Sequence, residues 1–100
     1  MSFLVIVTFD LHGASPESYL KVKKKLSRLN LEKQITSKTS GRLRRLPANT
    51  FVAKYDNSNN ASSLRSRLRL RVKRIIVSEG LEGDVFVAVG DSWAWGTGRV

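Results

Sequence analysis

The residues of this sequence that could do chemistry are a carboxylate, an imidazole and a group of cations. Asp10 ends an apolar run, and His12 follows it two residues later. The segment SKTSGRLRRLPAN carries further along the chain the cations Lys38, Arg42, Arg44 and Arg45. Guanidinium groups bind phosphate oxygens through paired hydrogen bonds, and an imidazole titrates near neutral pH. These residue types predict an interaction with phosphate groups.

The composition bounds the class of protein. The chain has 100 residues, with 18 Lys and Arg against 8 Asp and Glu, so its net charge is +10. Such an excess favours association with polyanions, and nucleic acid is the first partner to consider. This length predicts one domain and argues against a deep substrate cleft between domains. The lack of cysteine excludes disulfides, thiol nucleophiles and thiolate metal sites.

The amino-terminal segment MSFLVIVTF argues against export and membrane insertion. It has no basic n-region, and its apolar run of seven residues after Ser2 ends at Asp10. A signal peptide begins with a basic n-region, and a membrane span needs about 20 apolar residues. We therefore expect a cytoplasmic protein that has no membrane partner.

Apolar periodicity predicts the main elements. Residues 3–9 read as a strand that is apolar on both faces. Ser15 and Pro16 are typical of a helix start, and the helix that follows has an apolar stripe at steps of three and four. Residues 31–35 alternate weakly and predict a short second strand near an edge, followed by the loop SKTSGRLRRLPAN. Residues 50–55 and 84–89 predict the third and fourth strands.

The segment LRSRLRLRVKR, residues 64–74, fits two structures. As a strand it would carry its basic residues on one face. As a helix it would place Leu64, Leu68 and Val72 on one stripe and leave Leu70 on the far side. Context favours the helix, because Asn59 or Asn60 could cap its start and a Gly follows it at position 80.

With a helix at that position, the order of elements is βαββαβ, the split arrangement called ferredoxin-like. The predicted fold is therefore α+β, a four-stranded antiparallel sheet with two helices on one face. It forms a single domain over residues 1–100, in which residues 89–100 are a Trp-containing extension. This topology would bring Asp10, the loop cations and the helix residues Lys73 and Arg74 to one rim of the sheet.

Several short motifs resemble the GhoS antitoxin family. They are LVIVTFD before a capped helix and GRLRRLPANTFVAKY before a second helix and a final strand. The tail GDSWAWG resembles small proteins of the wider superfamily instead. More distantly, the chain is similar to small ferredoxin-like CRISPR-associated nucleases whose first strand ends in Asp. The chain is more basic than GhoS and has a Trp-bearing tail.

The resemblance implies a homodimeric, RNA-directed protein of a toxin–antitoxin system, in which the GhoS antitoxin cleaves a toxin messenger. It maps Asp10 onto the position that holds a divalent metal near a dimer axis in the CRISPR-associated relatives. It maps a further set of residues onto the basic loop before the third strand: Arg42, Arg44, Arg45 and Asn49.

A metal held by Asp10 from two copies, Mg²⁺ or Mn²⁺, would polarise a phosphate oxygen and activate a bound water. Alternatively, Asp10 only ends the strand, accepts backbone hydrogen bonds or pairs with a loop arginine. His12 could act as a general acid or base, although no partner is identifiable. Trp93 and Trp95 could stack on bases, and packing of the tail over a sheet edge is the favoured alternative.

The predicted function is binding of nucleic acid, directed to RNA, with metal-dependent endoribonuclease activity at Asp10 as the possible chemistry. The predicted phosphate contacts are Lys38, Arg42, Arg44, Arg45, Asn49, Lys73 and Arg74. The alternative is a non-catalytic basic module that binds nucleic acid or covers an acidic protein partner.

Overall fold

A computed structural model describes residues 2–37, 39–56 and 60–100. In these ranges the chain forms two helices and five strands. The strands are β1 (Ser2–His12), β2 (Gln34–Thr36), β3 (Leu43–Arg45), β4 (Thr50–Asp56) and β5 (Glu82–Gly90), and the helices are α1 (Pro16–Ser27) and α2 (Ala61–Ser78). Lys38, one of the predicted phosphate contacts, lies outside the described residues.

The main sheet has three strands in the order β4-β1-β5. The central strand β1 is antiparallel to both neighbours, and Ile6 pairs with Val52 on one side and with Ala88 on the other. The central place of β1 agrees with its sequence, because only a strand covered on both faces needs apolar residues at both odd and even positions.

The predicted four-stranded ferredoxin-like sheet is wrong. Glu32 and Val52 exchange two backbone hydrogen bonds of 2.9 Å, but β2 then leaves β4 and pairs with β3 in a separate two-stranded sheet. Leu31 is buried in one core cluster and Ile35 in another, although a continuous strand would point both side chains to the same face. The chain therefore turns between these residues instead of extending the sheet.

The segment SKTSGRLRRLPAN was predicted as a loop, but its residues Leu43–Arg45 form the strand β3. Leu43 pairs with Thr36, and Arg45 pairs with Gln34. Because all three residues of β3 are exposed, the sequence lacked the apolar alternation by which a strand is recognised.

The helical reading of residues 64–74 is confirmed. The Asn60 side chain accepts a hydrogen bond of 2.7 Å from the Ser63 backbone N–H at the start of α2, and Gly80 follows its end with φ +71°. Leu64 and Leu68 are buried, whereas Leu70 is 47% exposed on the far side. The predicted start of α1 is also confirmed, with Ser15 as its N-cap.

The two faces of the sheet pack into different clusters. The helices pack against the odd-numbered β1 residues, so this face is called the helix face: Phe3, Val5, Val7 and Phe9. Leu4 and Ile6 lie on the opposite face, where Ile35, Val52 and both tryptophans of the carboxyl-terminal segment surround them. This opposite face is called the tail face.

The two helices are joined by an ion pair at the end of α2. Lys25 Nζ lies 2.6 Å from Glu79 Oε2 and donates a second hydrogen bond of 2.8 Å to Ser78 Oγ. The hydrogen bond from Lys25 holds the pKa of Glu79 below its ordinary value. In the described parts of the chain, neither helix combines the length and apolarity that a membrane crossing requires.

Candidate nucleic-acid interface

A cleft of about 940 Å³ lies between the β2–β3 hairpin and the segment that follows β5. Its described lining comes from three parts of the chain: Ser37, Thr39, Ser40, Arg44 and Arg45 of the hairpin, Lys54 of β4, and Trp93, Ala94, Trp95, Thr97, Gly98 and Arg99 of the tail. This surface is called the basic cleft below.

The basic cleft is built on the tail face of the sheet. Leu4 pairs with Lys54 on one side and with Gly90 on the other, so β5 ends level with Lys54, with β1 between them. The tail then packs against the cluster around Leu4, in which both tryptophans are partly buried. Packing of the tail over a sheet edge was therefore the wrong prediction, because an apolar face and not an edge was left to be covered.

The charge of the basic cleft has one sign. Arg44, Arg45, Lys54 and Arg99 contribute four cations, and no described residue of the lining is acidic. The ion pairs found within the described ranges join other residues. Like charges held together without carboxylates concentrate positive potential in a concave surface, which attracts anions.

The tryptophans add an aromatic component to this charge. Trp93 and Trp95 both line the cleft, and each remains partly exposed after packing against the sheet. An indole anchored on one side and accessible on another is a surface on which a nucleobase can stack. Such a surface matches both parts of a nucleotide, because the cations can contact the phosphate and the indoles can stack on the base.

Asp10 lies elsewhere on the tail face. It is exposed and pairs across the strands with Asp84, whereas the cleft is built beside Leu4. Leu4 and Asp10 are six positions apart on one strand, which corresponds to about 20 Å. Asp10 is not among the described residues that line the cleft with Arg44 and Arg45, and their placement at one rim of the sheet stays a prediction.

Across the strands from Asp10 and His12 lie Asp84 and Glu82, which the sequence did not connect with them. His12 pairs with Glu82, and its Nε2 lies 3.6 Å from Asp84 Oδ2. Within the described ranges, no group of three or more His, Cys, Asp or Glu residues is arranged to hold a metal. Asp10 and Asp84 are two neighbouring carboxylates, and Mg²⁺ can bind through one or two carboxylates while it keeps several waters.

The remaining predicted contacts lie in three places. The Asn49 carbonyl accepts a hydrogen bond of 3.4 Å from the Phe9 backbone N–H, next to Asp10. Arg42 is exposed just before β3, and it is not part of the cleft lining. Lys73 and Arg74 are exposed on α2, on the other side of the sheet.

Lys54 and Arg99 were missed from the sequence. Lys54 sits inside a strand, and its direction was not assigned without the register that pairs it with Leu4. Arg99 follows the two tryptophans in the same short tail, and this combination of an aromatic pair with a nearby cation was the available signal.

Comparison with models of known protein families gives no match for this chain. Comparison with curated protein sequences gives no significant match either.

Proposed function

We propose that this protein binds single-stranded RNA in the basic cleft. The observation that carries the proposal is the joint presence of four cations and two tryptophans in one concave surface without a described acidic residue. Proteins bind single strands through cationic grooves that follow the backbone and aromatic rings that stack on bases. Stacking of this kind needs unpaired bases, which a duplex does not offer.

The choice of RNA as the ligand follows from the resemblance to the GhoS family. The comparisons neither support nor oppose that resemblance, so homodimer formation and an antitoxin role remain predictions. The alternative ligand, an acidic protein, would use the same cations. The aromatic component favours a nucleic acid, because stacking on bases uses the tryptophans together with the charge.

The proposal is tested by titrating the protein with single-stranded RNA while its tryptophan fluorescence is recorded. The chain has two tryptophans, and both line the cleft, so bound bases should quench most of the signal. Four phosphate contacts predict that log K falls against log salt concentration with a slope of about −3. Single-stranded DNA of the same sequence serves as the comparison. Binding that leaves the fluorescence unchanged, or a slope near zero, would contradict a site in the cleft.

Metal-dependent cleavage of RNA is a second candidate function, and the pairing of Asp10 with Asp84 is the observation that favours it. When bound there, Mg²⁺ or Mn²⁺ would polarise a phosphate oxygen and lower the pKa of a water. The two carboxylates would hold the ion, and the neighbouring His12 could accept or donate a proton.

We expect the substitution Asp10→Asn to abolish metal-dependent cleavage and to leave binding in the cleft within about twofold of the parent, because Asp10 is not among the described residues that line the cleft. RNA cleavage with Mg²⁺ or Mn²⁺ is compared between parent and variant, and Asp56→Asn is the matched control. Asp56 is exposed and pairs with Ser2 at the other end of β1. Cleavage that persists in Asp10→Asn, or that never occurs in the parent, leaves a binding protein without this activity.

A further inference from the structure

Helix α2 carries a second cationic surface. Its six basic residues are all exposed and form two rows, one of Arg65, Arg69 and Lys73 and one of Arg67, Arg71 and Arg74. Their spacing of three and four residues places each row along one flank of the helix. The helix has no acidic residue, and the ion pairs of the described ranges do not involve its six basic residues.

The two rows lie on either side of an outward crest. The residues of the crest are Ser63, Ser66, Leu70 and Val77, opposite the buried stripe of the helix. Burial raises the pKa of Tyr55, while the charges of Arg71 and Arg67 oppose this shift. That row therefore lies on the side of β4, and the row of Arg65 lies on the other flank.

The surface of α2 and the basic cleft are on opposite sides of the sheet. The buried residues of α2 belong to the cluster on the helix face, and the tryptophans of the cleft belong to the cluster on the tail face. The sheet and its packed side chains separate them. The shortest dimension of the molecule is 21 Å, so one bound segment of nucleic acid cannot touch both surfaces without passing around the protein.

We infer that the exposed face of α2 binds the backbone of double-stranded RNA, and that the full ligand is an RNA stem joined to a single-stranded segment. The inference rests on the proposed function for its single-stranded part. Six cations in two rigid rows complement the regular phosphates of a duplex, whereas a single strand has no fixed phosphate spacing. The straight thickness of 21 Å alone corresponds to roughly six nucleotides at a rise of about 3.4 Å, so a segment that passes around the protein needs more than six.

The shape of the helix layer favours RNA over DNA as the duplex. Lys25 of α1 is hydrogen-bonded to Ser78 and to Glu79, so α2 is held beside α1 and does not project alone. A broad layer does not enter the B-DNA major groove, which is about 12 Å wide. The minor groove of A-form RNA is wide and shallow and exposes 2′-hydroxyl groups, which the exposed Ser62 and Ser63 hydroxyls could contact.

The test compares three RNAs: a single strand of about 12 nucleotides, a blunt hairpin, and the hairpin with that strand as an overhang about twice the span to be crossed. Two variants each remove three charges. The α2 variant is R65Q/R69Q/K73Q, and the cleft variant is R44Q/R45Q/R99Q. Glutamine keeps a high helix propensity, so α2 should stay folded. Circular dichroism and the melting temperature check this for each variant.

For the parent protein, the joined RNA should bind at least about tenfold more tightly than either part, because the second contact becomes intramolecular. The α2 variant should lose about 100-fold in affinity for the blunt hairpin and less than about twofold for the single strand. The cleft variant should show the reverse. In both variants the advantage of the joined RNA should disappear.

Other results would overturn the inference. If the α2 variant weakens both RNAs equally, the helix is not a separate site. If duplex DNA of the same sequence binds as tightly as the hairpin, the assignment to RNA is wrong. If L70S/V77S, which keeps all charges, causes the same loss of affinity for the hairpin, α2 binds through the apolar residues of its crest. A helix that binds a lipid surface would behave in this way. If the single strand alone does not bind the parent protein, the cleft proposal is rejected. The hairpin measurements with the α2 variant still test the duplex site on α2.

Discussion

Replacing Arg44, Arg45 and Arg99 together by glutamine is expected to lower the affinity for single-stranded RNA about 100-fold at about 0.15 M salt. These three cations line the basic cleft, and no carboxylate among the described residues of the lining offsets them. Each would contribute a charge-assisted hydrogen bond to a phosphate. Lys54 and the tryptophans remain, so weak binding should persist.

The same variant should change the salt dependence in a predictable way. Loss of three phosphate contacts would reduce the slope of log K against log salt by about 2. Fluorescence anisotropy of a labelled RNA measures both quantities. The R65Q/R69Q/K73Q variant removes as many charges from the opposite side of the sheet, and it should bind the single strand like the parent. Equal losses in both variants would mean that net charge, and not the cleft, determines binding.

The substitution Gly83→Ala is expected to cost about 3 kcal/mol of unfolding free energy. A Cβ atom at this position would lie 2.2 Å from the backbone oxygen of Asp10 and 3.1 Å from the Cα of Leu11. These are backbone atoms of β1 at the positions where it pairs with β5, so the added Cβ would push the two paired strands apart. The strand β5 would have to shift at its pairing with β1.

Thermal unfolding measures this effect, and for a domain of this size the melting temperature should fall by about 15 °C. Gly90→Ala is the matched control, because it lies in the same strand and an added Cβ there would meet no atom within 4 Å. The control should stay within about 0.5 kcal/mol of the parent. If both variants have the same melting temperature, β5 does not lie as close to the Asp10 backbone as described.

Much of the fold follows from local sequence patterns. The apolar residues of β1, the Ser15 and Asn60 caps and the buried stripe of α2 act within a few residues of each other, so short windows of sequence reveal them. The helix in the basic segment also followed from local signals, namely its cap and the Gly80 stop.

The hairpin β2–β3 did not follow from such patterns. Leu31 and Ile35 have the same parity in the sequence, yet they are buried in different clusters. Whether a chain continues along a neighbouring strand or crosses to the other face depends on what covers that face. Here a hairpin and the tail with Trp93 and Trp95 cover it, and these contacts join residues that are far apart in sequence.

The residues alone determined that this protein is strongly basic, and they predicted both helices and most of the strands. Charge and periodicity are properties of short stretches of chain, and they need no partner. Only the tertiary structure decided that Arg44, Arg45 and Arg99 share a cleft with two tryptophans, and that Asp10 lies beside Asp84 instead. The register of the sheet and the turn after Glu32 set these neighbours, because they determine which face and which end of β1 each distant segment covers.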